Sequence, residues 1–133
     1  MFMGKRVVCA GTFDHFHPGH LDFLRQAKAL GDELVVIVAR DETVSRIKGF
    51  LPTYSEEVRK RNVEDAKIAD LVVLGNYNSD IFKILEEIKP DIVALGYDQR
   101  VKEAEILKRF PGLEIIRMEP YQSDKYKSSF YRK

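Results

Sequence analysis

The chain has 133 residues, 44% of them hydrophobic, with 22 basic and 21 acidic side chains for a formal net charge of +1. This length supports one core and little more, so one domain over residues 1–133 is expected, and the even charge balance removes any bulk attraction to nucleic acid. No signal-peptide core opens the chain, and the longest purely apolar run, Leu34 to Ala39, is far short of a bilayer span. The expectation is a cytoplasmic protein that engages neither nucleic acid nor membrane, its single cysteine held in a reducing setting.

In chain order, Lys5 to Ala10 is a β-prone apolar run that reads as a strand buried on both faces. After Gly11, Pro18 suits a first helical turn. Leu21, Phe23, Leu24, Ala27 and Leu30 then line the inner face of a helix that Gly31 closes. Leu34 to Ala39 is the second strand. Ala39 to Gly49 reads as a loop in which Arg40, Arg46 and Lys48 can meet phosphate, Arg46 equally being a solvated surface residue. A helix starts at about Ser55 with Glu56 and Glu57 in its first turn, and Leu71 to Leu74 is the third strand. Asp80 caps a helix whose Ile81, Ile84, Leu85 and Ile88 keep i, i+3, i+4, i+7 spacing until Pro90 stops it. Ile92 to Leu95, a helix to about Phe110, the Pro111-Gly112 break and Leu113 to Met118 complete the pattern. Five strands alternating with helices predict an α/β fold: one Rossmann-like, doubly wound domain with a five-stranded parallel sheet. Ligands of such sheets bind beyond the carboxyl ends of the strands.

The first strand end is the most informative. All three histidines fall in Gly11-Thr12-Phe13-Asp14-His15-Phe16-His17-Pro18-Gly19-His20, where strand gives way to helix. Gly11 allows close backbone approach to a ligand, and the helix start offers unpaired N–H groups and the positive end of a dipole. Imidazole N–H groups of His17 and His20 can neutralise charge on phosphate oxygens as a phosphoryl group changes partners. His15 can equally be a cap or a surface group. Zinc is a poor alternative, because His-x-x-His with Cys9 as the one cysteine lacks a ligand set.

Gly11-Thr12-Phe13-Asp14-x-x-His17-Pro18-Gly19-His20 resembles the signature of the cytidylyltransferase-like nucleotidyltransferases of the His-x-Gly-His superfamily. The resemblance implies that His17 and His20 stabilise the transition state at the α-phosphate of a nucleoside triphosphate, with a divalent metal (Mg²⁺ or Co²⁺) and pyrophosphate as leaving group. It further implies nucleotide contacts from Gly11, Thr12, Phe13, Pro18 and Gly19, with Asp14 ordering the loop or the metal. Lys48 would lie near the second substrate's phosphate as a catalytic and substrate-binding residue. Arg59, in a Glu-x-x-Arg pattern, would set the loop or bind substrate, the alternative being an i, i+3 ion pair with Glu56.

Gly96-Tyr97-Asp98-Gln99 follows the fourth strand, where Asp98 can accept hydrogen bonds from a nucleoside, reach a metal or cap a helix. This segment, with Val38 to Val44 and Glu87 to Ile92, resembles the archaeal-type FAD synthases, which implies ATP and FMN as substrates and a homodimer. The basic, Ser-containing C-terminal element 123–133 resembles the family's Ile-Ser-Ser-Thr-x-x-Arg element around the β- and γ-phosphates, which implies phosphate contacts from Ser128 and Ser129 and a catalytic role for Arg132. Lys127 and Phe130 replace its flanking residues, and Tyr126 is a further nucleotide contact. Ser123-Asp124-Lys125-Tyr126 stands where cytidylyltransferases carry Arg-Thr-x-Gly, which favours ATP over CTP. The expected reaction is adenylyl transfer to FMN. A CTP-dependent glycerol-3-phosphate cytidylyltransferase and a non-catalytic nucleotide-binding module are the alternatives.

Overall fold

The apolar runs pair side by side in one sheet. In the computed structural model, which describes residues 4–76, 80–97, 99 and 101–120, strands β1 (Arg6–Gly11), β2 (Glu33–Val38), β3 (Leu71–Leu74), β4 (Ile92–Leu95) and β5 (Glu114–Arg117) are all parallel, in the order β3-β2-β1-β4-β5. Five helices connect them: α1 (Pro18–Ala29), α2 (Asp41–Lys48), α3 (Glu56–Asp65), α4 (Ile81–Ile88) and α5 (Glu103–Arg109). Strand alternation divides the core. Val7 and Cys9 of β1 face Leu24 and Ala27 of α1 and Val63 of α3, whereas Val8 faces Ile84 and Leu85 of α4 and Ile106 of α5. With both faces covered, the strands need no polar side, which explains their uninterrupted apolar sequence.

Two elements differ from the expectation. Residues expected as a loop after the second strand form α2, in which Val44 is the buried residue; Asp41 and Glu42 lie in its first turn and Arg46 and Lys48 in its last. Gly49 closes it at φ 83°, a left-handed conformation open to glycine at no steric cost. The last strand is shorter than expected, because Leu113 and Met118 flank β5 as core residues outside its ladder. No helix among the described residues is long and apolar enough to cross a membrane.

The order places the switch in winding between β1 and β4, and β1 is paired on both sides. A ligand crevice is therefore expected beyond Gly11 and Leu95.

Candidate active site

Pro18 opens α1, and His17 is its N-cap, with extended backbone at φ −139° and ψ 173°. The two histidines share the capping. His17 Nδ1 accepts the Gly19 N–H at 3.1 Å, and His20 Nδ1 accepts the His17 N–H at 3.2 Å. This is a capping box built from imidazoles in place of the usual hydroxyl and carboxylate. Because each Nδ1 accepts, each neutral ring carries its proton on Nε2. The rings stack with centroids 3.8 Å apart. Gly19 makes this possible, since a Cβ there would lie 2.9 Å from His17 Cε1.

Burial and the neighbouring rings keep these imidazoles neutral. Desolvation, then repulsion from His17, pushes His20 down to about 4, despite the opposing pull of Asp14. Desolvation, then repulsion from His15, also lowers His17. Phe16 stacks on His20 at 5.5 Å and Phe13 meets it edge-on at 5.4 Å. The result is a pair of neutral N–H donors at the positive end of a helix, an arrangement that can bind and polarise phosphate oxygens without itself being charged.

The loop leading to His17 is held in an unusual shape. Phe13 and His15 sit at φ 56° and 50°, and such left-handed non-glycine residues each cost about 1–3 kcal/mol, which the surroundings must supply. Asp14 supplies part of it by accepting the Thr53 N–H at 2.8 Å and the Tyr54 N–H at 3.0 Å, while His15 Nε2 bonds Thr53 Oγ1 at 2.8 Å. Burial works to raise the Asp14 carboxyl, but those two N–H groups, with His15 and Arg59, outweigh it and hold it below the usual carboxylate range.

Arg59 is wholly buried. Its guanidinium donates to the carbonyls of Tyr54 (2.9 Å), Thr12 (2.8 Å) and Ala39 (2.7 Å), and to Asp41 Oδ1 at 2.6 Å. It thus joins the ends of β1 and β2 to the starts of α2 and α3. This corrects two expectations: the side chain is not open to substrate, and its ion pair is with Asp41, because Glu56 pairs with Arg40 and accepts the Asp41 N–H.

Two hollows open at the carboxyl ends of the strands, sharing a wall of Ala10, Gly11, Thr12 and Gln99. The larger, about 560 Å³, lies toward β4 and brings His20, Asp14 and Lys48 together with Gly96. Phe13 also borders it, but is only 3% exposed, so its ring braces His20. The smaller, about 220 Å³, lies toward β2 and β3 and is lined by Ile37, Thr43, Gly75, Asn76, Ile81 and Ile84, among others. Gln99 forms the partition: its Oε1 accepts the Gly96 N–H at 3.0 Å and its Nε2 donates to Ala10 O at 3.2 Å. Arg117 braces the same segment through the carbonyls of Gly96 and Gln99 and through Glu103.

Asp98, Tyr126, Ser128, Ser129 and Arg132 lie outside the described residues. The second hollow and the bonding of Gln99 were not anticipated from sequence. Gly75-Asn76 directly after β3 was the available signal, since it too stands at a strand's carboxyl end. Among the described residues no three His, Cys, Asp or Glu cluster as a metal cage. Cys9, buried within β1, has its thiol pushed far up by desolvation and is not a nucleophile here.

The cytidylyltransferase-like family profile matches residues 8–133. The FAD synthase of Aciduliprofundum boonei is 47% identical over 120 residues, covering 87% of this chain and 79% of that protein. The FAD synthase of Thermoplasma volcanium is 41% identical over 132 residues, covering 96% and 92%. A solved structure titled lipopolysaccharide core biosynthesis protein, also from Thermoplasma volcanium, superposes with a TM-score of 0.83 at 40% identity over 90% of this chain and the whole of the other. With its paired histidines at the first helix and these matches across nearly its full length, the chain belongs to the cytidylyltransferase-like family.

Proposed function

We propose that the chain is an FMN adenylyltransferase, transferring AMP from ATP to the phosphate of FMN and giving FAD and pyrophosphate. The observation that carries this reading is the stacked His17–His20 pair, two Nε2–H donors at the start of α1 beside a hollow that also holds Lys48. The 40–50% identical relatives named FAD synthase supply the acceptor and the nucleotide.

In this mechanism an FMN phosphate oxygen attacks the α-phosphorus in line. A new P–O bond forms as the bond to the β-phosphate oxygen breaks, and pyrophosphate departs with that electron pair. His17 and His20 donate to oxygens that gain charge, the N-terminus of α1 adds its unpaired N–H groups, and Lys48 holds the incoming phosphate. Gly11, Thr12, Pro18 and Gly19 form the surface against which the triphosphate lies, and Asp14 orders the loop through Thr53 and Tyr54. Asp98, Tyr126, Ser128, Ser129 and Arg132 complete the nucleotide site in this proposal, as the motif resemblance implies. A divalent ion, Mg²⁺ or Co²⁺, would supply further neutralisation of the triphosphate charge, as the motif resemblance implies. A single catalytic domain, pairing as a homodimer in the cytoplasm, belongs to the same proposal and is supported by the resemblance.

The test is pyrophosphate release with ATP plus FMN against CTP plus glycerol 3-phosphate. Release with the first pair and FAD on chromatography is expected. Release with the second pair alone would make the protein a cytidylyltransferase, and ATP binding without turnover would leave a nucleotide-binding module.

A further inference from the structure

We propose that Arg117 is a positioning residue for the nucleotide: from the end of β5 it holds the turn after β4 in the shape that borders the larger hollow. The proposal rests on the adenylyl-transfer reading in taking that hollow as the triphosphate side.

The turn is held by hydrogen bonds and not by packing. Tyr97 is 57% exposed, so burial of its side chain does not fix the backbone. From within, the Gln99 N–H donates to Gly96 O at 3.1 Å, and the Gln99 amide accepts the Gly96 N–H and reaches Ala10 O. From outside the turn comes Arg117. Its Nη1 donates to Gly96 O at 2.8 Å and Gln99 O at 2.7 Å, with Tyr97 O 3.5 Å away, while Nη2 donates to Glu103 Oε2 at 2.8 Å. A rigid fork serves these carbonyls and the carboxylate together, which an ammonium point charge does not.

This bonding sets the direction of a neighbouring donor. The peptide between Gly96 and Tyr97 is planar, so with its carbonyl on Arg117 its N–H, that of Tyr97, is turned away from Arg117 and from the β5 edge. Strand β4 lies between β5 and β1, and the hollow that Gly96 and Gln99 line is on the β1 side. The Gly96 N–H is already used by Gln99, so the Tyr97 N–H is a donor this turn offers to a nucleotide oxygen. Arg117 itself stands on an edge strand with its side chain 39% exposed, and an exposed ion pair such as the one with Glu103 adds little to stability. Its three carbonyl neighbours belong to the one turn that faces the nucleotide.

Arg117→Met keeps the apolar stem and removes the fork. Its dissociation constant for ATP in calorimetry, and its KM for ATP, should rise by about fivefold, the scale of one neutral hydrogen bond. The kcat, the KM for FMN and the thermal midpoint should stay near wild type. The rise should persist at about 0.5 M salt, where the loss of a positive charge alone is screened. Unchanged ATP affinity, a rise that vanishes in salt, or a matching loss in kcat and in the KM for FMN would each overturn the proposal. If wild type releases pyrophosphate from CTP alone, the adenylyl-transfer reading fails by itself, and the same titration with CTP still decides the role of Arg117. Should Arg117→Met not fold, Arg117→Lys decides, since it keeps the charge without the fork: weaker ATP binding is expected, and wild-type affinity would overturn the proposal.

Discussion

His17 and His20 stack at 3.8 Å while each uses Nδ1 to accept a backbone N–H at the start of α1. One nitrogen of each ring therefore serves the helix and the other is left for phosphate. His17→Ala or His20→Ala should lower turnover by about 10²–10³, the usual cost of one oriented donor. His17→Asn should keep the cap and the melting temperature yet lose the rate. Pyrophosphate release and thermal melts separate the two effects, and near-wild-type turnover in both alanine variants would end this assignment.

The lowered His20 value sets a pH dependence of stability. Unfolded, its imidazole takes up a proton near its ordinary value of 6.5; folded, it stays neutral until about 4. Between these limits the unfolded state binds more protons, so stability rises with pH there and is lost as pH falls from 6.5 toward 4. Melting temperature should decline over that window in the wild type, and His20→Gln should flatten the decline. An unchanged slope in His20→Gln would show that other groups carry it.

Gly19 is close to His17 Cε1, so Gly19→Ala forces the ring aside. Turnover should fall by about tenfold or more, since a small misplacement of a reacting group is costly. Gly112→Ala, where an added Cβ meets nothing within 4 Å, is the control and should leave turnover unchanged. Equal activity in the two would mean that the ring stack tolerates the displacement.

Arg59→Met removes a buried cation and leaves the Asp41 carboxylate and three carbonyls without their partner. Destabilisation of about 3–5 kcal/mol is expected, as for other broken buried ion pairs. Denaturant titration measures it, and a loss below about 1 kcal/mol, the scale of an exposed pair, would contradict the linking role.

Lys48→Ala should raise the KM for FMN by about tenfold or more, the scale of one lost charge-assisted hydrogen bond, and leave ATP affinity nearly unchanged. Lys48→Arg should recover most of the loss because the charge is kept. A variant weakened toward ATP alone would move Lys48 to the triphosphate.

How much of this was readable in the sequence depended on the range of the interactions. The strands announced themselves as apolar runs, and Pro18 marked the first turn of α1, which opens on that residue. Helix α2 was missed because its eight residues bury only Val44, although an acidic start, a basic end and Gly49 were all present. Arg59 was recognised as a motif residue but its role was not decidable, since its partners Thr12, Ala39 and Asp41 are 47, 20 and 18 positions away. Gln99 posed the same problem, with Ala10 at a separation of 89. No local pattern encodes such bonds; they exist only once the sheet has brought the strand ends together.

The histidine loop emerges from β1, the middle strand of the sheet, with partners on both sides. Local opening begins at edges, which here are β3 and β5, so amide exchange should be slowest in Val8 and its immediate neighbours and fastest in the outer strands. The reactive centre thus hangs from the part of the molecule that lets go last. Fraying at the rim, whether from heat or from sequence drift in the outer strands, leaves the imidazole pair in register until the whole sheet gives way.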